Sequence, residues 1–292
     1  MTSSSTGLMS LTTVPSSIGP SVHGVEPRPL FPWAGSKRGL IPILQPYFPP
    51  IDQIRAYHEP CIGAGHIFFA LRRMGFNGSS YLSDLNEKLI RCYQGIRQSP
   101  DEVIALYHQH AACHSKPYFK QTRQQYRRSW SDTTVAGWFL YIAKACSRGV
   151  YRENRLGVCN SLCRGPDLGA LDEAAVFADS LCLQNASLSS ADFASVLMTA
   201  KQGDFVVLDP PYPNGFVGYT SIGFDESDHH RLHRVCRELH RRGCLFLETN
   251  SDCKFVRRLY RDFHIEQIAA PRLIANGRNA PTTAKEVVIM NY

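Results

Sequence analysis

Apolar positions along the chain alternate between two spacings. Short apolar runs that stop at Gly, Pro or an acid are followed by stretches in which apolar residues recur every three or four positions. This alternation predicts buried strands followed by amphipathic helices. The predicted strands are 55–59, 79–83, 204–208, 244–248 and 285–290, and the predicted helices are 66–74, 86–96 and 225–242. Strand–helix alternation of this kind indicates an α/β fold with a Rossmann-like, mostly parallel sheet.

The middle of the chain interrupts that alternation. Helical patterns at 118–128 and 135–146 lead into an irregular stretch, 147–169, that is rich in Gly and Arg. We therefore predict a mainly helical domain inserted into the connections of the sheet. The predicted divisions are a disordered N-terminal tail at 1–27, a catalytic domain at 28–112 and 173–292, and the inserted domain at 113–172.

The inserted domain carries most of the charge of the protein. The 292 residues have a formal net charge of +7, and between Cys113 and Pro166 ten Lys or Arg face only two acids, Asp132 and Glu153. A nearly neutral body with one basic block predicts a polyanion partner that binds at a defined place. A solvated basic surface without a partner is the alternative.

Composition excludes several classes of protein. The 43% of hydrophobic residues is enough for a packed core, which excludes global disorder. No apolar run approaches the roughly 20 residues that span a bilayer, so we expect no membrane segment. The first residues lack the basic start and apolar middle of a secretory signal. We therefore expect a cytoplasmic protein whose ten cysteines are reduced.

One group of metal-ligand residue types falls on a single helix. His229, His233, Cys236 and His240 share one side of the predicted helix 225–242. No partner ligands are evident elsewhere in the sequence. We interpret this side as a solvated polar face rather than a metal site, and we expect no metal in the protein.

A glycine turn and an acid follow the first two predicted strands. Gly63 and Gly65 come after strand 55–59, and Asp84 comes after strand 79–83. Ligands of open parallel sheets bind beyond the carboxyl ends of the strands, where glycine lets the backbone approach closely. An acid at the second strand end typically accepts hydrogen bonds from ribose hydroxyls. The site therefore suits a nucleoside, although a dinucleotide or an ordinary tight turn also fits.

The segment before the first strand adds three features. Trp33 offers a flat apolar face, Gly35 allows a tight bend, and Lys37 supplies a cation that could meet a carboxylate. S-adenosylmethionine, which combines a nucleoside with an amino-acid carboxylate, would use all of them. A packed aromatic is the alternative for Trp33.

The turn Asp209-Pro210-Pro211-Tyr212 is the strongest local signal. Its two prolines fix φ and donate no backbone hydrogen bond. The Asp209 carboxylate and the Pro210 carbonyl are therefore two acceptors that match an exocyclic amino group, while Tyr212 can stack on the ring. We expect this carboxylate to face the nucleoside cavity and to be free of internal ion pairs. A rigid strand-end turn without chemistry is the alternative.

The turn suggests methylation of an aromatic amine. Accepting both N–H bonds aims the nitrogen lone pair at an electrophile, and the carboxylate stabilises the charge that develops on nitrogen. A base inside a duplex cannot present its amino group in this way, so it must be flipped out. Basic side chains that contact phosphates can offset the cost of extrusion.

Five stretches match the motifs of one enzyme family, in the same order. They are 31–37 (Phe-Pro-Trp-Ala-Gly-Ser-Lys), 59–65 (Glu-Pro-Cys-Ile-Gly-Ala-Gly), 83–86 (Ser-Asp-Leu-Asn), 152–160 (Arg-Glu-Asn-Arg-Leu-Gly-Val-Cys-Asn) and 209–212 (Asp-Pro-Pro-Tyr). On these residues the chain resembles the Dam-type DNA adenine N6-methyltransferases of the alpha arrangement, over about residues 30–292. The resemblance implies transfer of a methyl group from S-adenosylmethionine to N6 of a flipped adenine at a specific site in double-stranded DNA.

The motifs and the basic block together give the candidate site residues. The catalytic candidates are Asp209, Pro210, Pro211 and Tyr212. The cofactor-binding candidates are Phe31, Trp33, Ala34, Gly35, Lys37, Glu59, Pro60, Gly63, Gly65, Asp84 and Asp209. The DNA-binding candidates are Lys116, Arg123, Arg127, Arg148, Gly149, Arg152 and Asn160. The sequence leaves the oligomeric state open and is compatible with a monomer.

Three alternatives share parts of this pattern. A related Asn-Pro-Pro-Tyr turn serves protein glutamine amides, and an RNA adenine would satisfy the same acceptors. A non-catalytic DNA-binding relative would keep the fold and lose the chemistry. Asp209 and the inserted basic domain favour nucleic acid, and the intact motifs favour an enzyme.

Overall fold

The computed structural model describes residues 24–35, 37–213, 223–271 and 283–292. The strands are β1 Tyr57–Glu59, β2 Ser80–Asp84, β3 Ala186–Ser190, β4 Phe205–Leu208, β5 Leu245–Ser251, β6 His264–Pro271 and β7 Thr283–Met290. They form one sheet in the order β3–β2–β1–β4–β5–β7–β6. The first five strands of that order run parallel, and β7 is antiparallel to both β5 and β6. The predicted α/β fold with a mostly parallel sheet is confirmed.

Helices cover both faces of the sheet. They are α1 Ile41–Leu44, α2 His66–Arg73, α3 Glu87–Gln98, α4 Pro100–Ala112, α5 Lys116–Thr122, α6 Asp132–Ala145, α7 Glu173–Leu183, α8 Glu226–Arg241 and α9 Lys254–Leu259. Short 3₁₀ turns lie at Gln45–Tyr47, Ile51–Gln53, Ser147–Gly149 and Phe193–Met198. The helix starts follow the sequence signals: Asn86 caps α3, and Asp225 with Asp228 forms a capping box on α8.

Strand β4 shows how the sheet divides the core. Phe205 and Val207 belong to the hydrophobic cluster under α2, α3 and α6, whereas Val206 and Leu208 belong to the cluster under α8 and α9. Alternate side chains of one strand are therefore buried on opposite faces, as expected for the centre of a parallel sheet. A strand fixed on both faces holds the turn that follows it rigidly.

The inserted segment shares its core with the sheet. Helix α6 buries most of its side chains in the first hydrophobic cluster. Two glycines allow its close contacts, because a Cβ at Gly95 would clash with Asp132 and Ala136, and a Cβ at Gly137 would clash with Leu106. The insertion is therefore packed onto α3 and α4 rather than built around a core of its own. Its boundaries as a functional domain stay a prediction.

Two predictions about helices are wrong. The helix predicted at 118–128 is α5, which ends at Thr122. The face of α8 predicted to be solvated is largely a packing face, because His229 and Cys236 are buried and His229 contacts Phe224 and Phe255. In the described part of the chain, no group of three His, Cys, Asp or Glu could hold a metal ion. All ten cysteines are free thiols.

Two further predictions concern the N-terminal tail and membrane segments. Residues 1–23 of the predicted tail lie outside the described residues, while the Pro27 carbonyl accepts a hydrogen bond from Arg73. Among the helices that are described, none is long and apolar enough to cross a membrane.

Candidate active site

The two turns singled out in the sequence lie side by side. Strands β1 and β4 are neighbours at the centre of the sheet. The strands that follow β1 in the chain, β2 and β3, lie on one side of this pair, and β5, which follows β4, lies on the other side. Such a switch point forms a crevice beyond the carboxyl ends of the strands, where open α/β sheets bind their ligands. The glycine turn after β1 and the Asp-Pro-Pro-Tyr turn after β4 therefore border one crevice.

A charged network surrounds the second turn. Lys37 contacts Asp209 Oδ1 at 2.9 Å and donates to the Tyr212 hydroxyl at 2.7 Å. Thr249 of β5 donates to the same Asp209 oxygen at 2.6 Å. The Tyr212 hydroxyl in turn donates to Oε2 of Glu286 on β7 at 2.7 Å. We call these five residues, Lys37, Asp209, Tyr212, Thr249 and Glu286, the charged network.

The expectation that Asp209 is free of internal ion pairs is wrong. Lys37 is only 6% exposed, and a buried ammonium group needs a counter-charge. The strand end next to Lys37 supplies that charge as Asp209. Both the Lys37 and the Thr249 contact use Oδ1 of the carboxylate. The ion pair and this hydrogen bond therefore position Asp209 at the end of β4.

Tyr212 is held in its neutral form. Burial raises the pKa of its hydroxyl well above the usual range, and the negative charges of Asp209 and Glu286 raise it further. A neutral phenol can accept one hydrogen bond and donate another, which is what Lys37 and Glu286 require of it. The Lys37 ammonium also lies 4.6 Å from the centre of the Tyr212 ring, which adds a cation–π contact.

Two more carboxyl groups lie at the ends of β1 and β2. Glu59 Oε2 accepts hydrogen bonds from the Tyr57 hydroxyl and the Phe68 amide, and burial raises the pKa of Glu59 to about 8. Asp84 accepts from the amide of Gly63 at 3.1 Å, and burial raises its pKa as well. The negative charge of Asp209 raises the pKa of Glu59 further.

The glycine turn is held by its surroundings. Gly63 has φ +49°, and an added Cβ would lie 3.1 Å from the indole of Trp33. The Tyr93 hydroxyl donates to the Gly63 carbonyl at 2.8 Å. Gly65, at φ +73°, is the residue just before α2. Glycine is required at both positions because L side chains rarely adopt these angles.

Trp33 lies in a cluster of rings rather than on an open surface. It is 8% exposed and stacks on Tyr151, with ring centres 5.5 Å apart and planes 15° apart. Phe31, Phe139 and Tyr93 complete what we call the aromatic cluster: Phe31, Trp33, Tyr93, Phe139 and Tyr151. These surroundings agree with the alternative stated for Trp33, in which the ring is packed in the core. The Cδ1 and Nε1 atoms of the indole border Gly63 of the glycine turn. A contact between Trp33 and the cofactor stays a prediction.

The remaining cofactor candidates differ in accessibility. Phe31 and Pro60 are buried, Ala34 is half-buried, and Gly35 is exposed at φ +74°. The crevice itself suits a cationic nucleoside, because the carboxyl groups of Asp84 and Asp209 lie near the buried acid Glu59, close enough to raise its pKa, and Lys37 neutralises part of their charge. Asp84 can accept from ribose hydroxyls, since each of its oxygens has a second lone pair. These residues fit S-adenosylmethionine.

The DNA-binding candidates fall into two groups. Lys116, Arg127, Arg148, Arg152 and Asn160 are exposed. Their exposure makes these side chains accessible to DNA, and their contact with DNA stays a prediction.

Arg123 and Gly149 have packing roles in the structure. The Arg123 guanidinium donates to the Ser161 carbonyl and lies over the Phe119 ring. Gly149 is buried at φ +66°, and a Cβ there would clash with Pro32. Each of these residues joins two segments of the protein to one another. Neither is exposed in the way that a DNA-contacting residue would be.

The two acids of the basic block both face α3. Asp132 pairs with Arg91 at 2.6 Å, and Glu153 pairs with Lys88 at 2.7 Å. Glu153 also accepts from the Tyr151 hydroxyl at 2.7 Å. The acids are therefore used to dock the insertion, and the exposed charges of the block are positive.

Two members of the charged network were not expected from the sequence. Thr249 is a fully buried residue within β5, and Glu286 lies in β7 between apolar and exposed neighbours. Nothing in either local pattern marks a functional role.

The sequence also predicts that the loop 213–223, rich in Gly and aromatic residues, closes over the flipped base, and that Arg278 and Lys285 form a second contact with the DNA backbone. Residues 214–222 and Arg278 lie outside the described residues.

Fold and site define a Rossmann-like methyltransferase. A family model described as "D12 class N6 adenine-specific DNA methyltransferase" matches residues 33–274, which is most of the chain. The protein therefore belongs to the D12 class of N6 adenine-specific DNA methyltransferases.

Curated relatives agree with the family. A type II methyltransferase of Lactococcus lactis subsp. cremoris, M1.LlaDCHI, is 30% identical over 91% of this chain and 95% of its own length. The type II methyltransferase M.MjaIII of Methanocaldococcus jannaschii is 27% identical over 92% of the chain and 100% of its own. A DNA adenine methylase of Vibrio cholerae is 26% identical over 86% and 92%. The assignment as a DNA adenine methyltransferase is confirmed. It is favoured over the alternatives in which the substrate is a protein glutamine or an RNA adenine, and over a non-catalytic DNA-binding relative.

Proposed function

We propose that this enzyme transfers a methyl group from S-adenosylmethionine to the N6 amino group of an adenine flipped out of double-stranded DNA, at a specific site. The observation that carries the proposal is the meeting of the glycine turn after β1 with the Asp209–Tyr212 turn after β4 in one crevice. One turn suits a nucleoside cofactor and the other an exocyclic amine. A crevice that holds both brings donor and acceptor together.

The catalytic turn supplies position and charge. Asp209 and the Pro210 carbonyl accept the two N–H groups of the amine, and Pro211 adds no competing donor. Tyr212 stacks on the purine ring that carries the amine. As the nitrogen gains positive charge, the fixed Asp209 carboxylate stabilises it without rearranging. When bound, S-adenosylmethionine supplies a methyl group that its own sulfonium activates.

The cofactor candidates divide the work of binding. Asp84 accepts from the ribose hydroxyls, while Gly63 and Gly65 let the backbone approach the nucleoside. Asp209 provides negative charge near the cationic centre. Glu59, whose pKa burial raises to about 8, is mostly protonated at neutral pH and contributes hydrogen bonds rather than charge. Phe31, Trp33 and Pro60 form the buried wall behind this surface, and Ala34, Gly35 and Lys37 continue it toward β4.

The exposed basic residues hold the DNA. Lys116, Arg127, Arg148 and Arg152 contact phosphates, and Asn160 lies beside Arg152, whose carbonyl accepts a hydrogen bond from the Asn160 amide at 3.0 Å. Phosphate contacts release counterions and so supply binding free energy. That free energy offsets the few kcal/mol that flipping a base costs.

Replacement of Asp209 tests the proposal. Asp209→Ala should lower the single-turnover rate of methyl transfer at least about 100-fold, because an oriented group that stabilises the transition state is lost. DNA affinity should stay within a few-fold of the wild type. The measurement is N6-methyladenine formed in unmethylated plasmid DNA, quantified by mass spectrometry of the nucleosides, beside a DNA-binding titration. Retained activity would refute the assigned role.

A further inference from the structure

Strand β7 brings a carboxylate to the catalytic end of the sheet. Because β7 is antiparallel to β5, its first residues lie where the parallel strands end. Glu286 is paired with Ser251 of β5. The last residue of β4, Leu208, is paired with Glu248, which lies three residues before Ser251 in β5. The topology therefore places Glu286 beside the turn that follows β4, although the two are far apart in sequence.

The Tyr212 hydroxyl joins this carboxylate to the catalytic ion pair. It accepts from the Lys37 ammonium at 2.7 Å and donates to Glu286 Oε2 at 2.7 Å. Both partners carry charge, and charge-assisted hydrogen bonds are about twice as strong as neutral ones. Any rotation that swings the ring out of its position would break both bonds. Lys37 and Glu286 therefore restrain the orientation of the ring through its hydroxyl.

Lys37 is shared between two acceptors. Its ammonium contacts Asp209 on one side and the Tyr212 hydroxyl on the other. The hydroxyl can act as an acceptor toward Lys37 only while its own hydrogen points elsewhere, and Glu286 is the acceptor that takes this hydrogen. Because an ammonium group can only donate, the Tyr212 oxygen accepts from Lys37 and the single hydrogen of the hydroxyl is left for Glu286. Glu286 therefore completes the hydrogen bonding of the hydroxyl and holds it beside Lys37.

We propose that Glu286 is a positioning residue for methyl transfer. It holds the Tyr212 hydroxyl so that the ring stands ready to stack on the flipped adenine, and it keeps Lys37 divided between Tyr212 and Asp209. Loss of the carboxylate releases the ring and lets Lys37 move fully onto Asp209. This inference rests on the proposed function, which gives Tyr212 its stacking role.

A double-mutant cycle tests the inference. Glu286→Ala should lower the single-turnover rate of adenine methylation roughly 10- to 100-fold, the range expected when a reacting group is misplaced. Glu286→Gln keeps a carbonyl oxygen that accepts from the hydroxyl, so it should restore the rate to within a few-fold of the wild type. In a Tyr212→Phe background, Glu286→Ala should have little further effect, because the hydroxyl through which it acts is absent.

The controls separate positioning from general damage. Glu266→Ala removes a half-buried glutamate of the neighbouring strand β6, whose partner is His264, and should leave the rate unchanged. The thermal midpoint and the DNA dissociation constant are measured for each variant. If Glu286→Ala fails to fold, the comparison of Glu286→Gln with Tyr212→Phe and their double mutant decides instead: the Gln variant must stay near the wild type.

Three results would overturn the inference: additive effects of Glu286→Ala and Tyr212→Phe, a Gln variant as slow as the Ala variant, or a wild-type rate for Glu286→Ala. These leave the proposed function standing as long as the wild-type enzyme forms N6-methyladenine. Absence of that product from the wild-type reaction would overturn both.

Discussion

The charged network and the aromatic cluster begin in the same short segment, at 31–37, and differ in almost every physical respect. Trp33 enters a set of stacked and edge-to-face rings. Lys37, four residues later, enters a set of directional hydrogen bonds between charged groups. The first region is held by burial of apolar area, and the second by geometry and charge.

The difference shows that residues of one motif can serve different purposes. Rings buried against one another stabilise the fold and are indifferent to salt. A network of acids and one ammonium adds less to the stability of the fold, because the cost of desolvating the charges offsets their mutual attraction. Its main effect is to orient groups toward a ligand. Changes in the aromatic cluster should therefore appear mainly in stability, and changes in the charged network mainly in rate.

The largest expected effect is that of Lys37→Met, which keeps the chain length and removes the charge. The single-turnover rate should fall about 100- to 1,000-fold, the usual cost of losing one preorganised electrostatic partner. Lys254→Met, at an exposed lysine at the start of α9, is the matched control and should be unaffected. A Lys37 variant with a wild-type rate would mean that the network has no role in chemistry.

Trp33→Ala should act on the fold. We expect a loss of about 3–5 kcal/mol in the free energy of unfolding, as for other large aromatic residues replaced in cores. Urea denaturation followed by circular dichroism measures it. A loss below about 1 kcal/mol would indicate that the indole is not part of the core and would remove the contrast between the two regions.

Glu248→Gln addresses a carboxyl that lies outside both regions. Burial raises the pKa of Glu248 from 4.5 to about 7. A carboxyl whose pKa is raised by folding stabilises the protein fully below the unfolded pKa, and this stability is lost as pH rises through the folded pKa. Between pH 5 and 8 the wild type should therefore lose stability, and the Gln variant should lose less. Parallel pH profiles of the unfolding free energy would contradict this.

The smallest expected effect concerns the exposed basic residues. Arg152→Ala should weaken DNA binding modestly and reduce the slope of log affinity against log salt by about one. Arg123→Ala is the contrasting variant, because its guanidinium is bound to the Ser161 carbonyl; it should leave the salt slope unchanged and lower stability. Equal salt slopes for Arg152→Ala and the wild type would refute a phosphate contact.

Elements with strong local patterns are the ones that can be predicted from the sequence. The run that became β4 is apolar on both faces and stops at two prolines, so its position and its turn could be predicted. Strand β3 could not, because Ala186–Ser190 is mostly Ser and Ala and gains its place only by pairing with β2. Local polarity likewise misled the interpretation of α8, where His229 is buried among aromatic rings.

The composition of the site was predictable only in part. Asp209 and Tyr212 follow from their motif, but the partner of both, Lys37, is separated from Tyr212 by 175 residues. Glu286 comes to the site only because β7 reverses direction in the sheet. Pairings of this kind depend on topology, which no local spacing encodes.

The contact between Gly149 and Pro32 bears on attempts to redesign target choice. Residues 147–163 look like a cassette that could be exchanged between relatives. However, Gly149 fits against Pro32, Tyr151 stacks on Trp33, and Glu153 is paired with Lys88. A graft of residues 147–163 alone would meet foreign partners at all three points. A working chimaera must therefore also carry over the donor's residues at positions 32, 33 and 88.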